Sequence, residues 1–367
     1  MRLLHVDDAT LGGTGKRFLD HMTSRGFELT DPAPLTAADS SVTFVNANIM
    51  PFKARLTAGE PVGATCQFQP CVRAHGERPY LFSFGMLGAV TDGEHLDLLA
   101  DAAPQALLDA MPWITGASLT FAIDRRDDHL AAAVAPFVTR TGAEVLRFPD
   151  DELPSRWTYG TGDVLAGRGL TIIYRNGDAC GPDCRPRCAC GRWVELGNII
   201  TIDGPGRGYL EAGFGLEVMQ STAVGGDAYQ LPWIASGVAR ATAAGLPPDD
   251  AADAVNLERA LDRLLADGAR PAGRGPGHIV RKFAARLLGL ATRAGDGDLA
   301  AGVAALCGTG PVADLLLAEA GRRAGSGSAR IAAARAYARR AQPGTDLPAE
   351  LARTYGLNGE EIAAIVG

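Results

Sequence analysis

The sequence predicts an α+β fold followed by an all-α region. Strand-like runs of β-branched and aromatic residues concentrate before residue 220, and beyond Gln220 the pattern is helical to the end. The 367 residues are 47% hydrophobic and 21% charged, a globular composition that can bury one large core or two modest ones. No apolar run is long enough to span a bilayer.

A first helix is expected over 16–25, where apolar residues recur at helical spacing and Gly26 stops them. Residues 42–45 and 80–84 read as strands, and 118–124 as a strand leading into a helix over 128–140 and a strand over 144–148. Further strands are expected at 170–174, 193–202 and 208–211. The helical region is broken at Pro247-Pro248 and at the glycine-rich stretch 268–277, and 321–340 reads as helix. A boundary near 228–233 divides the chain into 1–230 and 231–367. The opening Met1-Arg-Leu-Leu-His-Val-Asp-Asp is acidic where a signal peptide would be basic, so a cytoplasmic location is expected. Gly12-Gly-Thr-Gly-Lys16 lacks the spacing and context of a phosphate loop and is set aside.

The net charge of −7 is uneven. Between residues 231 and 340 stand 15 basic and 10 acidic side chains, which leaves −12 elsewhere. A basic helical region beside an acidic one suits a nucleic acid, and equally a solvated arginine-rich surface. Lysine occurs only at 16, 53 and 282. Lys53 therefore stands out as a compact cation suited to a phosphate or carboxylate.

Two distant stretches carry the chemistry. The first spans 35–53 and ends Phe44-Val-Asn-Ala-Asn-Ile-Met-Pro-Phe-Lys53; the second is Gly208-Tyr-Leu-Glu-Ala-Gly-Phe-Gly-Leu-Glu-Val218. Between them lie Cys71-Val-Arg-Ala74, Phe84-Gly-Met-Leu-Gly88, Trp157-Thr-Tyr-Gly160 and Glu195-Leu-Gly-Asn-Ile-Ile200. In this order they resemble the catalytic core of the alanyl-tRNA synthetase family, class II aminoacyl-tRNA synthetases. Phe18 to Phe27 resembles that family's opening helix, and 264–268, 278–282, 345–351 and 356–361 resemble its tRNA-recognition helices.

The resemblance implies an antiparallel sheet flanked by helices, and a site for an aminoacyl adenylate or a mimic of one. Arg73, expected on a strand, would pair its planar fork with the phosphate oxygens, and Lys53 would be a second catalytic cation. Phe84 would stack on adenine, with Gly213 and Gly215 letting the backbone approach the nucleoside. Glu211, where the family has aspartate, would take the amino group, and Trp157 and Asn198 would enclose a small side chain. Val218 departs from the family, whose second motif ends in an arginine that grips ATP; its loss leaves pyrophosphate charge poorly stabilised. The loop around Arg78-Pro-Tyr80 is short, Gly85 replaces a family glutamate, and Gly273 and Pro276 replace residues used on the acceptor stem.

Cys180, Cys184, Cys188 and Cys190 form Cys-x3-Cys-x3-Cys-x-Cys in an insertion over 178–192. In a reducing compartment this spacing points to structural zinc, with two disulfides as the alternative. Cys66, Cys71 and Cys307 read as packing residues.

The sequence thus leads to an aminoacyl transferase that moves alanine from alanyl-tRNA to an adenosine-like acceptor, such as a sulfamoyl nucleoside, in secondary metabolism such as antibiotic biosynthesis. A compact ATP-dependent alanine ligase is the alternative, so ATP use stays open. The partners expected are alanyl-tRNA or the tRNA(Ala) acceptor stem and an adenosine-like molecule, with no membrane. A monomer is expected, because the chain stops at Gly367, before the family's association regions, and no heptad seam is evident.

Overall fold

A computed structural model describes residues 8–36, 42–74, 80–149, 156–159, 165–340, 346–355 and 357–366. Parts of the expected motifs lie outside the described residues: 37–41, Arg78-Pro79, Gly160, Thr345 and Gly356.

The chain opens with helix α1 (Asp8–Ser24) and the short strand β1 (Glu28–Leu29), then helix α2 (Lys53–Thr57). Strands β2 (Thr65–Val72) and β3 (Ser83–Asp92) and helix α3 (Leu96–Ala110) follow. Next come β4 (Leu119–Asp124), α4 (Asp128–Thr141), β5 (Glu144–Phe148), β6 (Arg156–Thr158) and β7 (Ala166–Arg175). Strands β8 (Trp193–Gly204) and β9 (Arg207–Gly215) lead into α5 (Leu216–Ser221). The rest is helical: α6 (Pro232–Ala243), α7 (Pro248–Ala266), α8 (Gly275–Ala294), α9 (Leu299–Cys307), α10 (Pro311–Ala338), α11 (Leu347–Tyr355) and α12 (Gly359–Val366).

Among the described residues, the strands form one sheet ordered β1-β2-β3-β9-β8-β7-β4-β5, with β6 on β7. Pairing is antiparallel except at β1/β2 and β4/β5. The fold is therefore α+β with a helical C-terminal part. Alternation along the strands separates two faces. One face, with Leu87, Ala89, Leu210, Ala212 and Phe214, packs under α1, α3 and α4. The other, with Cys71, Val90, Ile200, Ile202 and Tyr209, is partly covered by the segment that carries Val45, Ile49, Met50, Phe52 and Leu56.

The helical part packs around Leu257, Leu261, Leu264, Phe283 and Leu287, and it shares this core with Phe44, Val72 and Phe82 of the sheet part. Phe82 stacks on Phe283 with centroids 5.1 Å apart, and its N–H donates to Asn256 Oδ1 of α7 at 2.7 Å.

Three expectations need correction. Residues 42–45 are not a strand: Val45 N–H donates to Leu35 O, and its own carbonyl accepts from Val72 N–H, so among the described residues only isolated bonds form, with no ladder. The strand expected over 80–84 begins at Ser83 and runs to Asp92, because Phe82 N–H turns to Asn256. Arg73 lies just past the end of β2, although its N–H still reaches Phe82 O at 2.8 Å. The Gly12–Lys16 run lies within α1, so it forms no phosphate loop.

Candidate active site

The site face of the sheet holds most of the expected residues through strand register alone. Cross-strand pairing places Cys71 opposite Phe84, Met86 opposite Gly215, Val90 opposite Glu211, and Glu211 opposite Ile200. Asn198 pairs with Gly213 on one side and Thr171 on the other, and Trp157 with Gly167. By alternation, Phe84, Asn198, Glu211, Gly213, Gly215 and Trp157 all face one way. Phe84, Met86, Gly215, Asn198 and Trp157 keep partial exposure, so they mark the open part of this face.

Arg73 is exposed, and its guanidinium lies over the Phe84 ring, 4.8 Å from the centroid. Its Nε and Nη2 both donate to Asn46 O at 3.2 Å, which fixes the plane of the fork. A guanidinium has five N–H donors, so the Asn46 bonds leave others to face a ligand. Arginine and phenylalanine thus stack on each other here. Expected as separate phosphate and adenine contacts, they form a single cation–aromatic unit.

Glu211 is buried at the base of this face, at 4% exposure. Its Oε1 accepts from Ile49 N–H at 3.1 Å and its Oε2 from the Tyr159 hydroxyl at 2.9 Å. Burial pushes its carboxyl up to about 7, although the Tyr159 and Ile49 bonds and the Arg73 charge favour the ionised form. Each carboxylate oxygen retains a second lone pair, so an ammonium could still be accepted. Burial, and then the Glu211 charge, push Tyr159 well above the ordinary phenol range. Tyr159 is a site residue that sequence reasoning missed. Its position two residues after Trp157 was the available signal, since alternation puts the pair on one face.

The side-chain oxygen of Asn198 accepts from the Thr171 hydroxyl at 2.9 Å, which turns its NH₂ away from that partner. Gly213 is explained by packing as much as by ligand access. A Cβ there would lie 2.8 Å from Met86 Cε and 3.7 Å from Glu211 Oε1. At Gly215 the nearest atom to a Cβ would be Val218 Cγ2, at 3.3 Å. Val218 itself is half-buried against the helix-covered face. Lys53 is buried and partnered at the first turn of α2, one turn along from Ile49.

Beside Val218, Glu217 is buried, and its Oε2 accepts from Gly85 N–H at 2.9 Å. Its Oε1 lies 3.7 Å from Arg259 Nη2 on α7. Burial raises its carboxyl above the ordinary range, against the pull of the Gly85 bond and Arg259.

The four clustered cysteines occupy the turn between β7 and β8, and their Sγ atoms all lie within 4.8 Å of one another. Cys180 and Cys188 approach to 3.5 Å, and Cys184 and Cys190 to 3.7 Å. All four are thiols. Backbone bonds from Cys184 N–H to Gly181 O and from Cys188 N–H to Arg185 O form the turns that gather them, and Trp193 Nε1 donates to Cys184 Sγ at 3.3 Å. A group with this donor set can hold a metal ion. Cys66 and Cys71 are buried, and burial raises the thiol of each; Cys307 is half-buried and raised in the same way.

No protein-family model matches the chain. The chain is similar to the alanine–tRNA ligase of Rhizorhabdus wittichii, 28% identical over 308 residues that cover 74% of this chain and 34% of that protein. It is likewise similar to the alanine–tRNA ligase of Sphingopyxis alaskensis, 26% identical over 307 residues, with 74% and 34% covered. The chain therefore spans about a third of the length of these curated relatives. Among solved structures, the apo S. aureus histidyl-tRNA synthetase matches with a TM-score of 0.39 and 10% identity, covering 61% of this chain and 68% of that one. The sequence likeness to these synthetases is distant and lies over about three quarters of this chain.

Proposed function

We propose that this chain is an aminoacyl transferase that moves alanine from alanyl-tRNA to an adenosine-like acceptor. The observation that carries the reading is the Arg73–Phe84 pair above the Gly213–Gly215 strand, with Glu211 at its base and Val218 in place of a cation. An aromatic ring and a guanidinium suit a nucleoside bearing an anionic or sulfonyl group, and a buried carboxylate suits a primary ammonium. Nothing at position 218 would neutralise a triphosphate.

The ester of alanyl-tRNA is already activated, so its carbonyl carbon can be attacked directly. The acceptor's nitrogen or oxygen forms the new bond, the bond to the tRNA ribose oxygen breaks, and that oxygen takes the proton lost by the nucleophile. In this reading Arg73 holds the acceptor's phosphate-like group, Phe84 its base, Glu211 the alanine ammonium, and Asn198 with Trp157 the small side chain. Lys53 supports the segment that supplies Ile49 N–H. The catalytic unit spans 1–230 and the helical unit 231–367, which would receive the tRNA acceptor stem. A role in antibiotic biosynthesis and a monomeric, cytoplasmic state belong to the same reading. Among the described residues, no helix is long and apolar enough to cross a membrane.

We assign zinc to the four cysteines. Tetrahedral zinc with thiolate bonds of about 2.3 Å sets sulfur atoms about 3.8 Å apart, close to the 3.5 and 3.7 Å pairs here.

The test supplies alanyl-tRNA with candidate adenosine-like acceptors, without ATP, and follows alanine into the small-molecule product. The second reading, ATP-dependent alanine activation, draws on the likeness to alanine–tRNA ligases; alanine-dependent ATP–pyrophosphate exchange would reveal it.

A further inference from the structure

Two arginines one helical turn apart on α7 have no role in the transfer chemistry above. Arg259 and Arg263 continue the face of α7 that carries Ala252, Val255 and Asn256 onto the sheet part. Arg259 meets it at the ends of β3 and β9, where Glu217 bridges from Gly85. Gly85 directly follows Phe84, and Glu217 directly precedes Val218, so this junction adjoins the candidate site.

The hydrogen bonding there is incomplete. Arg259 Nη2 stands 3.7 Å from Glu217 Oε1, too far for a hydrogen bond, and its Nε is buried with no hydrogen-bond partner. Arg263 is half-buried and, among the described residues, donates no side-chain hydrogen bond and forms no ion pair. Buried guanidinium donors are normally satisfied. Arg259 approaches one buried carboxylate, and Arg263, one turn further along α7, lies within the field of the same group. Burial lowers Arg263 below its ordinary range; the nearby Glu217, Asp262 and Asp267 oppose that shift and Arg259 adds to it. Asp267 is already engaged, because its Oδ2 accepts from Thr36 N–H and the Thr36 hydroxyl.

We propose that Arg259 and Arg263 form an oxyanion site at this junction, one that takes a phosphate of a ligand bound at Phe84. Two forked donors on adjacent turns match the oxygens of a phosphate, and Glu217, 3.7 Å from Arg259, draws that guanidinium toward the site without saturating its donors. The source of the phosphate rests on the proposed function. In the transfer reaction it is a backbone phosphate of the tRNA 3′ end; in an ATP-activating enzyme it is pyrophosphate.

The test titrates the full chain with inorganic pyrophosphate, with a short single-stranded RNA ending in CCA, and with a non-hydrolysable alanyl-sulfamoyl adenosine. Wild type is compared with Arg263→Met, Arg263→Lys and Arg259→Met, each checked for native melting. Arg263, among the described residues, donates no side-chain hydrogen bond and forms no ion pair, so its variants keep the test valid even where Arg259→Met unfolds. RNA affinity should fall about tenfold to hundredfold in Arg263→Met and partly recover in Arg263→Lys, while the adenosine analogue binds as before. An Arg263-dependent loss for pyrophosphate instead supports the site and favours ATP use. Loss of analogue binding in wild type, with Arg263-dependent anion binding retained, would remove the transfer reading and leave the oxyanion site standing. Equal RNA and pyrophosphate affinities in wild type and Arg263→Met would overturn the proposal.

Discussion

Tyr159→Phe removes one hydroxyl and probes the proposed ammonium site. That hydroxyl donates to Glu211 Oε2 at 2.9 Å inside a buried cluster, so its loss leaves a carboxylate oxygen short of a donor. A hydrogen bond to a charged group is worth about 1.5–3 kcal/mol, which corresponds to roughly one to two units in the carboxyl pKa. Glu211 already stands at about 7, against its ordinary 4.5. The loss would push it higher still and, by that amount, leave roughly a tenth to a hundredth ionised at pH 7. A ligand that presents an ammonium should then bind about five- to fiftyfold more weakly at pH 7 and recover as the pH approaches 9. The folded state binds this proton more tightly than the unfolded chain, so stability falls as pH rises from 4.5 to about 7. In Tyr159→Phe that fall should extend further upward. Calorimetric titration of an alanyl-sulfamoyl adenosine across pH 6–9 measures the binding effect. An unchanged affinity and pH profile in Tyr159→Phe would refute the assignment of Glu211 as the ammonium partner.

Three further outcomes are expected. Purified protein should carry about one zinc per chain by metal analysis, lost in Cys184→Ser together with local order in the β7–β8 turn. Arg73→Ala should weaken analogue binding about tenfold or more, because it removes both the fork and the cover on Phe84, whereas Val218→Arg should add ATP binding with little exchange activity; both are read by titration. Asn256→Ala should lower stability by about 1–3 kcal/mol in denaturant melts, since Phe82 N–H would lose its acceptor at the junction of the two parts.

The fold was legible where periodicity was local. The α1 pattern with its Gly26 stop, the strand–helix–strand run ending in β5, and the helical tail all follow from residue spacing. The span 42–45 was not, because its β-branched residues serve as a cover on the sheet and make only isolated backbone bonds. Within the site, alternation in β3, β8 and β9 was enough to put Phe84, Asn198, Glu211 and Gly213 on one face. The stacking of Arg73 on Phe84 depends on where β2 ends, and the bond to Tyr159 on how β6 lies against β7. The Glu217–Arg259 approach joins residues 42 positions apart through helix docking, which no local pattern records.

In the proposed reaction this site handles a preactivated alanine and does not make one from ATP. This is tested most directly by alanine-dependent ATP–pyrophosphate exchange on the purified full chain, run beside alanine transfer from alanyl-tRNA to an adenosine-like acceptor. Exchange at background with alanine recovered on the acceptor is the predicted result. Robust exchange with no transfer would contradict it.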